Sequence, residues 1–377
     1  MKVVVLGCGF GGVEVASGLR RKAKDLEVVM IDRRTRFHYV PSYPELLSGK
    51  VSPEAISGDL NKFARKIGAE FVHAGVINVD FNNKNVKIKT KTRAEDEGRA
   101  VPYDYLVLAL GAEQTFFGIP GAEARSRSVN TLESARAAKN ALLQLDYSKE
   151  ITIPVIGAGL SGVEVAGELV DHFKARGATA RMRIYLVEMM PKILPAFPHG
   201  NVAGSVEKFL SARGVEMLTE TAVQEVTEDE IVFKDGRKLA YDLIIWTAGI
   251  KPNSLLEKLE ISKVKGWLKV DPYLRVDGFE DVFAVGDNAY FEHGGLRSGQ
   301  NVEEAEKQGT VAAANILNTI KKAKLQEYRP RNTIQEPRAL ISLGDNKAVA
   351  YSGNRMFTVF AYRIKKFVEW QYMKRFR

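Results

Sequence analysis

Short runs of consecutive apolar residues, each followed by a glycine-rich turn and a stretch of helical periodicity, organise the chain. The first run, Val3 to Leu6, is apolar and β-branched, which predicts a buried strand, and a helix is predicted from Val13 to Lys22. Glu27 to Ile31 predicts a second strand, which ends at Asp32. Strand, turn, helix and strand in this order indicate a parallel α/β unit.

The turn between the first strand and the helix has the spacing GxGxxG. Gly7 permits the tight turn, Gly9 lets the backbone approach a pyrophosphate, and Gly12 lets helix and strand pack closely. The free N–H groups of the helix would then face the phosphates. Asp32 falls near the spacing expected for an acid that hydrogen-bonds an adenosine ribose. The unit therefore predicts a dinucleotide-binding site.

The same unit occurs a second time. Residues 5–16 can be laid over residues 155–166 with identity at most positions, so the chain contains an internal duplication. The glycines of the second turn are Gly157, Gly159 and Gly162. The next strand is predicted from Arg183 to Val187 and ends in Glu188, the counterpart of Asp32. Two methionines follow Glu188 where an arginine would hold a 2′-phosphate, so this site is expected to prefer NADH to NADPH.

A further pair of segments extends the repeat. Tyr103 to Ala112 resembles Tyr241 to Ile250, and each segment is predicted to be a buried strand that ends in small residues. These small residues would form a turn, which could return the chain beside a dinucleotide or be a plain tight turn. The small residues are Ala109 and Gly111 in the first copy and Ala248 and Gly249 in the second. Val86 to Lys91 and Glu225 to Arg237 alternate like antiparallel ribbons, the second with an Asp-Gly hairpin signal.

Composition narrows the class of protein. The chain has 377 residues, 45% hydrophobic and 27% charged, which predicts a folded, water-soluble protein of two to three domains. The net charge of +9 suits an anionic partner such as a nucleotide, an acidic membrane surface or nucleic acid. Cys8 is the single cysteine, so neither an intramolecular disulfide nor a redox cysteine pair can form.

Two further features set expectations about metal and compartment. The histidines have no pairing at ligand spacing, so no metal is expected. They are His38, His73, His172, His199 and His293. The first residues lack both a long apolar region and a small-residue cleavage site, so a signal peptide is not expected and the cytoplasm is the default compartment.

Over residues 1–325 the chain resembles the flavoproteins with two dinucleotide-binding domains, whose first unit holds FAD and whose second holds NAD(P)H. A third mark of that family is the segment Val282 to Ala289, which would return to the FAD domain and place Asp287 against the ribityl and phosphate end of the flavin. The resemblance implies a discontinuous FAD domain, residues 1–113 with 266–325. It places an NADH domain at residues 114–265 and a C-terminal segment at residues 326–377.

Within that family the chain is most similar to type II NADH dehydrogenase, the single-subunit NADH:quinone oxidoreductase. Phe37 to Gly49 is similar to the aromatic, proline and leucine segment around the flavin, and Val302 to Gly309 falls where a quinone-site motif lies. Glu303 and Lys307 stand where glutamines are usual, which leaves the quinone type open. Cys8, inside a glycine turn, leaves no thiol for the chemistry of the disulfide reductases or sulfide:quinone oxidoreductases.

The resemblance also implies roles for single residues. It assigns Glu164 and Gln308 to catalysis, Glu164 through proton transfer near flavin and nicotinamide. Its counterpart Glu14 leaves an alternative, that helix-start electrostatics were inherited by both copies of the repeat. The further cofactor-binding residues implied are Phe10, Arg33, Pro41, Asp287 and Gln308.

The C-terminal residues from Met356 onward predict an amphipathic helix. Its apolar stripe comprises Phe357, Phe360, Ile364, Phe367 and Val368. Basic residues flank the stripe and further aromatic residues follow, as in a helix that lies in the interface of an anionic membrane. The alternative is a helix docked on the protein body or on the partner subunit of a homodimer.

These expectations combine into one hypothesis: an α/β protein of two Rossmann-like domains with a C-terminal membrane-associating segment. It would use FAD and NADH, reduce a quinone, bind no nucleic acid and lie peripherally on the cytoplasmic face of the membrane. Three rivals stay open. They are a reductase of a carrier such as ferredoxin or rubredoxin, a regulator resembling apoptosis-inducing factor, and a sulfide-oxidising enzyme.

Overall fold

The structure is a computed structural model that describes residues 1–90, 98–197, 201–353 and 355–377. The helices of these residues are α1 (Phe10–Lys22), α2 (Tyr43–Ser48), α3 (Leu60–Ile67), α4 (Ala122–Arg125), α5 (Leu132–Leu143), α6 (Leu160–Lys174), α7 (Asn201–Ser211), α8 (Ser254–Glu257), α9 (Val302–Ile320) and α10 (Ala361–Met373).

The strands of the same residues are β1 (Lys2–Leu6), β2 (Glu27–Asp32), β3 (Arg36–His38), β4 (Ser57–Asp59), β5 (Glu70–Asp80), β6 (Asn85–Thr90), β7 (Arg99–Pro102), β8 (Tyr105–Leu108), β9 (Ala112–Gln114), β10 (Ser126–Ser128), β11 (Ile151–Ile156), β12 (Met182–Val187), β13 (Val215–Leu218), β14 (Val223–Val226), β15 (Glu230–Phe233), β16 (Lys238–Ala240), β17 (Ile244–Trp246), β18 (Ile250–Pro252), β19 (Lys263–Val264), β20 (Trp267–Lys269), β21 (Val282–Ala284), β22 (Ala289–Tyr290), β23 (Glu292–His293), β24 (Leu296–Arg297), β25 (Arg338–Gly344), β26 (Lys347–Ser352) and β27 (Arg355–Phe357).

The first large sheet has seven strands in the order β21-β8-β1-β2-β5-β6-β7. β1 pairs in parallel with β2 and β8, and its central residues Val3, Val4 and Val5 are completely buried. β21 pairs in parallel with β8, so the prediction that the segment before Asp287 returns to the first unit is confirmed. The ribbon predicted to start at Val86 is the antiparallel strand β6, and Lys91 lies outside the described residues.

The second large sheet has five strands in the order β10-β17-β11-β12-β13, all parallel. Its central strands β11 and β12 occupy the places that β1 and β2 hold in the first sheet. The fold class predicted from the sequence, an α/β protein with two Rossmann-like units, is therefore confirmed. The ribbon predicted from Glu225 to Arg237 is the antiparallel sheet β14-β15-β16, and Gly236 takes a left-handed φ of 84° in its turn.

The C-terminal segment adds a three-stranded antiparallel sheet, β25-β26-β27, that the sequence reading did not foresee. It packs on α6, where the carbonyl of Leu343 lies so near the backbone of Gly167 that an added Cβ there would approach it to 2.3 Å. The final helix α10 packs on strands β25 and β26 of this sheet. Among the described residues no helix is both long and apolar enough to cross a membrane.

The C-terminal helix begins later than the sequence pattern predicted. Phe357 lies in β27, and Phe360 is the N-cap of α10 with a φ of 60°, so the helix begins at Ala361. The predicted stripe is nevertheless exposed as a group. The exposed apolar residues of this region are Phe357, Val359, Phe360, Ile364, Phe367, Val368 and Trp370.

Candidate active site

The two glycine turns are built alike. Gly7 and Gly157 have φ values of 94° and 98°, a left-handed conformation that favours glycine. A Cβ on Gly12 would lie 1.9 Å from the carbonyl oxygen of Gly7, and one on Gly162 would lie 1.8 Å from that of Gly157. These four glycines therefore serve the close packing of strand, turn and helix in both units.

A carboxylate at the end of the second strand holds each glycine turn from the side. Asp32 Oδ2 accepts a hydrogen bond of 2.7 Å from the N–H of Cys8, and Glu188 Oε2 accepts one of 2.9 Å from the N–H of Ala158. The other oxygen of each carboxylate accepts from the N–H two residues further along, at 2.8 Å and 3.0 Å. The duplication seen in the sequence thus extends to the hydrogen bonds.

The central glycines of the turns leave room for a ligand. Gly9 and Gly159 are the N-caps of α1 and α6, and a Cβ added to either would meet no described atom within 4 Å. The N–H groups of each helix's first turn point toward that open space, and such termini attract phosphate groups. Both units therefore fit the pyrophosphate of a dinucleotide.

Polar side chains near the first glycine turn have no hydrogen-bond partner within the described residues. Burial raises the pKa of the Asp287 carboxyl to about 6, and this carboxyl forms no hydrogen bond within the described residues. His38 Nδ1 and the Tyr43 hydroxyl are buried without partners. Burial also lowers the pKa of His38 to about 4, so its imidazole is neutral at neutral pH. Protein atoms cover His38 Nδ1 and the Tyr43 hydroxyl, so neither faces a ligand. Buried polar groups are usually hydrogen-bonded, so the Asp287 carboxyl, which has no protein partner, fits a bound polar cofactor such as FAD.

Asn288 ties the turn that carries Asp287 to the first sheet. Its Oδ1 accepts a hydrogen bond of 3.1 Å from the N–H of Gly111, and its Nδ2 donates one of 2.9 Å to the carbonyl of Leu108. The sequence reading missed Asn288, although its place beside Asp287 at the end of an apolar run was a usable signal. Gly111 is thereby fixed in position next to Asp287.

Gln308 is buried, and its amide is used within the protein. Its Oε1 accepts a hydrogen bond of 2.7 Å from the N–H of Gly286, and its Nε2 donates to the hydroxyls of Ser298 and Tyr328 at 3.1 Å and 3.2 Å. Tyr328 in turn donates to the buried carboxylate of Glu304. Gln308 therefore positions the turn that carries Asp287.

Each glutamate of the repeat is bound by a cation from the C-terminal residues. Glu164 Oε1 accepts hydrogen bonds from the N–H of Ser342, at 2.9 Å, and from the ammonium of Lys365. Its counterpart Glu14 accepts a hydrogen bond of 2.5 Å from the guanidinium of Arg375. Burial raises the pKa of the Glu164 carboxyl, and the Lys365 ammonium opposes that rise. The C-terminal residues thus clamp both dinucleotide-binding helices.

Further contacts join the polar face of the C-terminal helix α10 to the rest of the protein. Lys366 forms an ion pair of 2.8 Å with the buried Glu45, and Glu369 accepts a hydrogen bond of 2.7 Å from the Ser42 hydroxyl. Phe376 stacks on Phe37 with ring centroids 4.5 Å apart. The charged side of α10 therefore faces the protein, and its apolar side faces outward.

The remaining sequence-predicted residues fall around the two turns. Phe10 is the first residue of α1, Pro41 lies half-buried in the turn before α2, and Ala109 donates its N–H to the carbonyl of Leu6 at 2.8 Å. Arg33 is exposed, and the neighbouring Arg34 contacts Asp32 instead. In the second unit the Ala248 carbonyl accepts from Gln114 and Trp246, and Gly249 has a φ of 73°.

A mostly apolar cleft of about 270 Å³ opens beside the start of α6. Residues of both units and of the segment before β25 line it, so a ligand there would touch both halves of the molecule. The lining includes Leu160, Phe197, Ile250, Tyr290, Gln300 and Arg338.

Neither a metal-ligand cluster nor a reactive thiol is found among the described residues. Within residues 1–90, 98–197, 201–353 and 355–377, no three His, Cys, Asp or Glu side chains form a group suited to a metal ion. His199 lies outside these residues. Cys8 is buried, and its burial and the Asp32 charge raise the pKa of the thiol, which makes it unreactive.

Two parallel-sheet units with matching glycine turns, matching carboxylates at the ends of their second strands and a shared cleft are typical of an oxidoreductase that binds two dinucleotides. The family model described as pyridine nucleotide-disulphide oxidoreductase matches residues 1–309. The chain belongs to that family, and the resemblance found in the sequence is confirmed.

Curated relatives of the chain are named as quinone-reducing enzymes. The demethylphylloquinone reductase NdbB of Synechocystis sp. is 29% identical over 76% of this chain and 72% of its own length. A type II NADH:quinone oxidoreductase of Staphylococcus saprophyticus is 28% identical over 87% of this chain and 84% of its own length.

Solved structures share the whole fold. The sulfide:quinone oxidoreductase of Aquifex aeolicus has a TM-score of 0.86 at 21% identity and covers 100% of this chain and 91% of its own. NDH2 of Plasmodium falciparum in complex with NADH has a TM-score of 0.85 at 18% identity, over 98% and 94% of the two chains. At these identities the likeness establishes the fold alone.

Proposed function

We propose that the protein is a FAD-dependent NADH:quinone oxidoreductase that does not pump protons. The observation that carries this is the pair of matched dinucleotide sites, each with an open central glycine and a carboxylate at the end of its second strand. The names of the curated relatives, which include type II NADH:quinone oxidoreductases and a demethylphylloquinone reductase, support the donor and the acceptor.

The first unit would hold FAD and the second NADH. The FAD domain would comprise residues 1–113 and 266–325, with Gly9 under the pyrophosphate, Asp32 at the ribose and Asp287 at the ribityl chain. In the NADH domain, residues 114–265, Gly159 and Glu188 would take the corresponding places. When bound, FAD accepts a hydride from NADH and supplies two electrons to an acceptor.

The chain's own residues would position these ligands. Glu188 would accept hydrogen bonds from the NADH ribose hydroxyls and repel a 2′-phosphate. The cleft beside Leu160 would admit the nicotinamide end and exclude water with its apolar walls. Gln308 would act on the flavin site through the Gly286 turn, and Glu164 through the C-terminal residues that it anchors.

Anaerobic flavin reduction followed by reoxidation tests this function. We expect NADH to bleach the flavin absorbance far faster than NADPH, and a short-chain quinone to restore it rapidly. Sulfide is expected to leave the flavin oxidised, because no second cysteine is present to carry it. Reoxidation by ferredoxin or rubredoxin but not by quinone would instead indicate a carrier-protein reductase. Slow turnover with every acceptor and salt-sensitive DNA binding would indicate a regulator.

We also propose that the C-terminal helix rests on an anionic membrane. Its outward face combines exposed apolar and aromatic side chains with basic residues, and Lys374 lies 3.5 Å above the ring of Trp370. An apolar face of this kind with basic flanks suits the lipid interface. A lipid-soluble quinone would then meet the protein at this surface. This placement would make the protein peripheral on the cytoplasmic face.

Replacing Phe360, Ile364 and Phe367 together by serine should release the protein from anionic vesicles without unfolding it, because all three side chains are about half exposed or more. Activity with a long-tailed quinone should fall far more than activity with a short soluble analogue. The readouts are vesicle sedimentation and the ratio of the two activities. Serine at the exposed Ile77 and Leu143 is the matched control and should change neither. Equal loss with both quinones would count against the membrane role.

A further inference from the structure

The cleft beside the start of α6 is lined by positive charge without negative charge. Its charged lining residues are Arg297 and Arg338, and no aspartate or glutamate among the described residues lines it. The Arg338 guanidinium is already used, because it forms an ion pair of 2.5 Å with Glu303. The Arg297 guanidinium makes no hydrogen bond or ion pair within the part of the chain that the structure describes. The cleft therefore offers an unpaired cation, which suits an anionic ligand.

Stacking on an aromatic ring holds the Arg297 guanidinium in place. Its central carbon lies 4.7 Å from the centroid of the Tyr290 ring, and Tyr290 lines the same cleft. A guanidinium over a ring face keeps the N–H groups at its edge free to donate to phosphate oxygens. Arg297 is partly buried, whereas residues 292–296 before it are exposed, so its guanidinium stands at the rim of the cleft.

The second dinucleotide-binding helix borders the same cleft. Leu160, the first residue of α6, lines the cleft and directly follows the open Gly159. The pyrophosphate that we place over Gly159 would therefore bring negative charge to this cleft. Glu188, which we place at the adenosine ribose, is not one of the lining residues, so the cleft lies away from the position of a 2′-phosphate.

We propose that Arg297 binds the pyrophosphate of NADH from the FAD domain, while the N-terminus of α6 binds it from the NADH domain. This assignment rests on the proposed function. Arginine binds phosphate oxygens through two parallel N–H bonds, which a neutral side chain cannot replace. Because the pyrophosphate keeps its charge during hydride transfer, Arg297 contributes to the binding of NADH and not to the rate of the transfer.

Arg297→Met tests the assignment, with Arg176→Met as the control. Arg176 also lies over a tyrosine ring, that of Tyr147 at 5.5 Å, but it follows the C-terminal end of α6. We expect Arg297→Met to raise the NADH concentration for half-maximal flavin bleaching by about 10-fold, the loss of one charge-assisted hydrogen bond. Flavin content and the bleaching rate at saturating NADH should not change. Arg176→Met should alter none of these three quantities.

A hydride donor without phosphate separates the charge of Arg297 from its shape. N-benzyl-dihydronicotinamide carries the reacting ring but no phosphate, so it should bleach the flavin of Arg297→Met and of the unaltered protein at equal rates. Added salt should weaken NADH binding to the unaltered protein more than binding to Arg297→Met, because the variant has one charge contact fewer to screen. Arg297→Lys keeps the charge but not the paired N–H groups, so its NADH titration should lie between the two.

The outcomes separate this inference from the function on which it rests. An unchanged NADH titration in Arg297→Met would overturn the role of Arg297. Equal losses with NADH and with the phosphate-free donor would also overturn it, because the residue would then only shape the cleft. A larger loss with NADPH than with NADH would place Arg297 at the 2′-phosphate instead. Failure of quinone to reoxidise a flavin that NADH has bleached would overturn the proposed function but not this assignment, which depends on the NADH titration.

Discussion

Alanine in place of Gly159 should leave the protein folded and charged with FAD but nearly unable to use NADH. Gly159 has φ −72° and ψ −168°, which any residue adopts, and an added Cβ would meet no described atom within 4 Å. The protein itself therefore tolerates alanine. The bound pyrophosphate would not, because the methyl group occupies its place. We expect the NADH concentration for half-maximal bleaching to rise by about 10- to 100-fold, because overpacking by one methyl group costs about 1–3 kcal/mol.

The duplication supplies the matched experiment. Gly9, with φ −77° and ψ −164°, has the same open surroundings, so Gly9→Ala should fold and lose FAD instead of NADH affinity. Flavin content after purification and NADH titration separate the two variants. Gly204→Ala, on the exposed face of α7, is the control and should alter neither. An unchanged NADH titration in Gly159→Ala would mean that the pyrophosphate does not lie over this turn.

Gly9 and Gly159 belong to the part of the site that the sequence alone predicted. Tight-turn chemistry is local, so GxGxxG after an apolar strand predicted both turns, their helices and the carboxylates Asp32 and Glu188. Because the two units repeat each other, the motif found in one unit also supported the structure predicted for the other. The return of β21 to the first sheet was predicted from the resemblance to known flavoproteins. The local sequence of Val282 to Ala284 does not indicate which strand it pairs with.

The C-terminal sheet was missed although a local signal was present. Asp345 and Asn346 have φ values of 50° and 53° and form the two-residue connection between β25 and β26. Consecutive left-handed residues are typical of type I′ hairpin turns, and Asp and Asn tolerate that conformation. The alternation from Arg338 onward, read with this pair, predicts the hairpin.

The ion pairs of the C-terminal helix could not be predicted locally. Glu164 and Lys365 are 201 positions apart, and the pattern of α10 gives no partner for its cations. The two alternatives for this helix, at a membrane or on the protein body, looked exclusive in the sequence. In the structure the charged face packs on the body and leaves the apolar face free, so contact with the body and contact with a membrane are compatible.

Loss of the Glu164 carboxylate should destabilise the protein more than loss of its repeat counterpart Glu14. Glu164→Gln leaves the buried Lys365 without a counter-ion, and breaking a buried pair in this way costs about 3 kcal/mol in the free energy of unfolding. Glu14→Gln is the matched control in the other repeat. Its partner Arg375 is 37% exposed, so the loss there should be about 1 kcal/mol or less.

The double variant Glu164→Gln/Lys365→Met decides what Glu164 does in turnover. Methionine removes the stranded charge, so unfolding stability should return to within about 1 kcal/mol of the unaltered protein. Glu164→Gln alone should slow quinone reduction with FAD still bound, because the C-terminal residues next to the site come loose. If Glu164 acts by holding them, the double variant regains turnover together with stability. A double variant that is stable yet still slow would show that the carboxylate itself moves a proton. Anchoring of the C-terminal residues would then not explain why the second repeat carries a glutamate at this position.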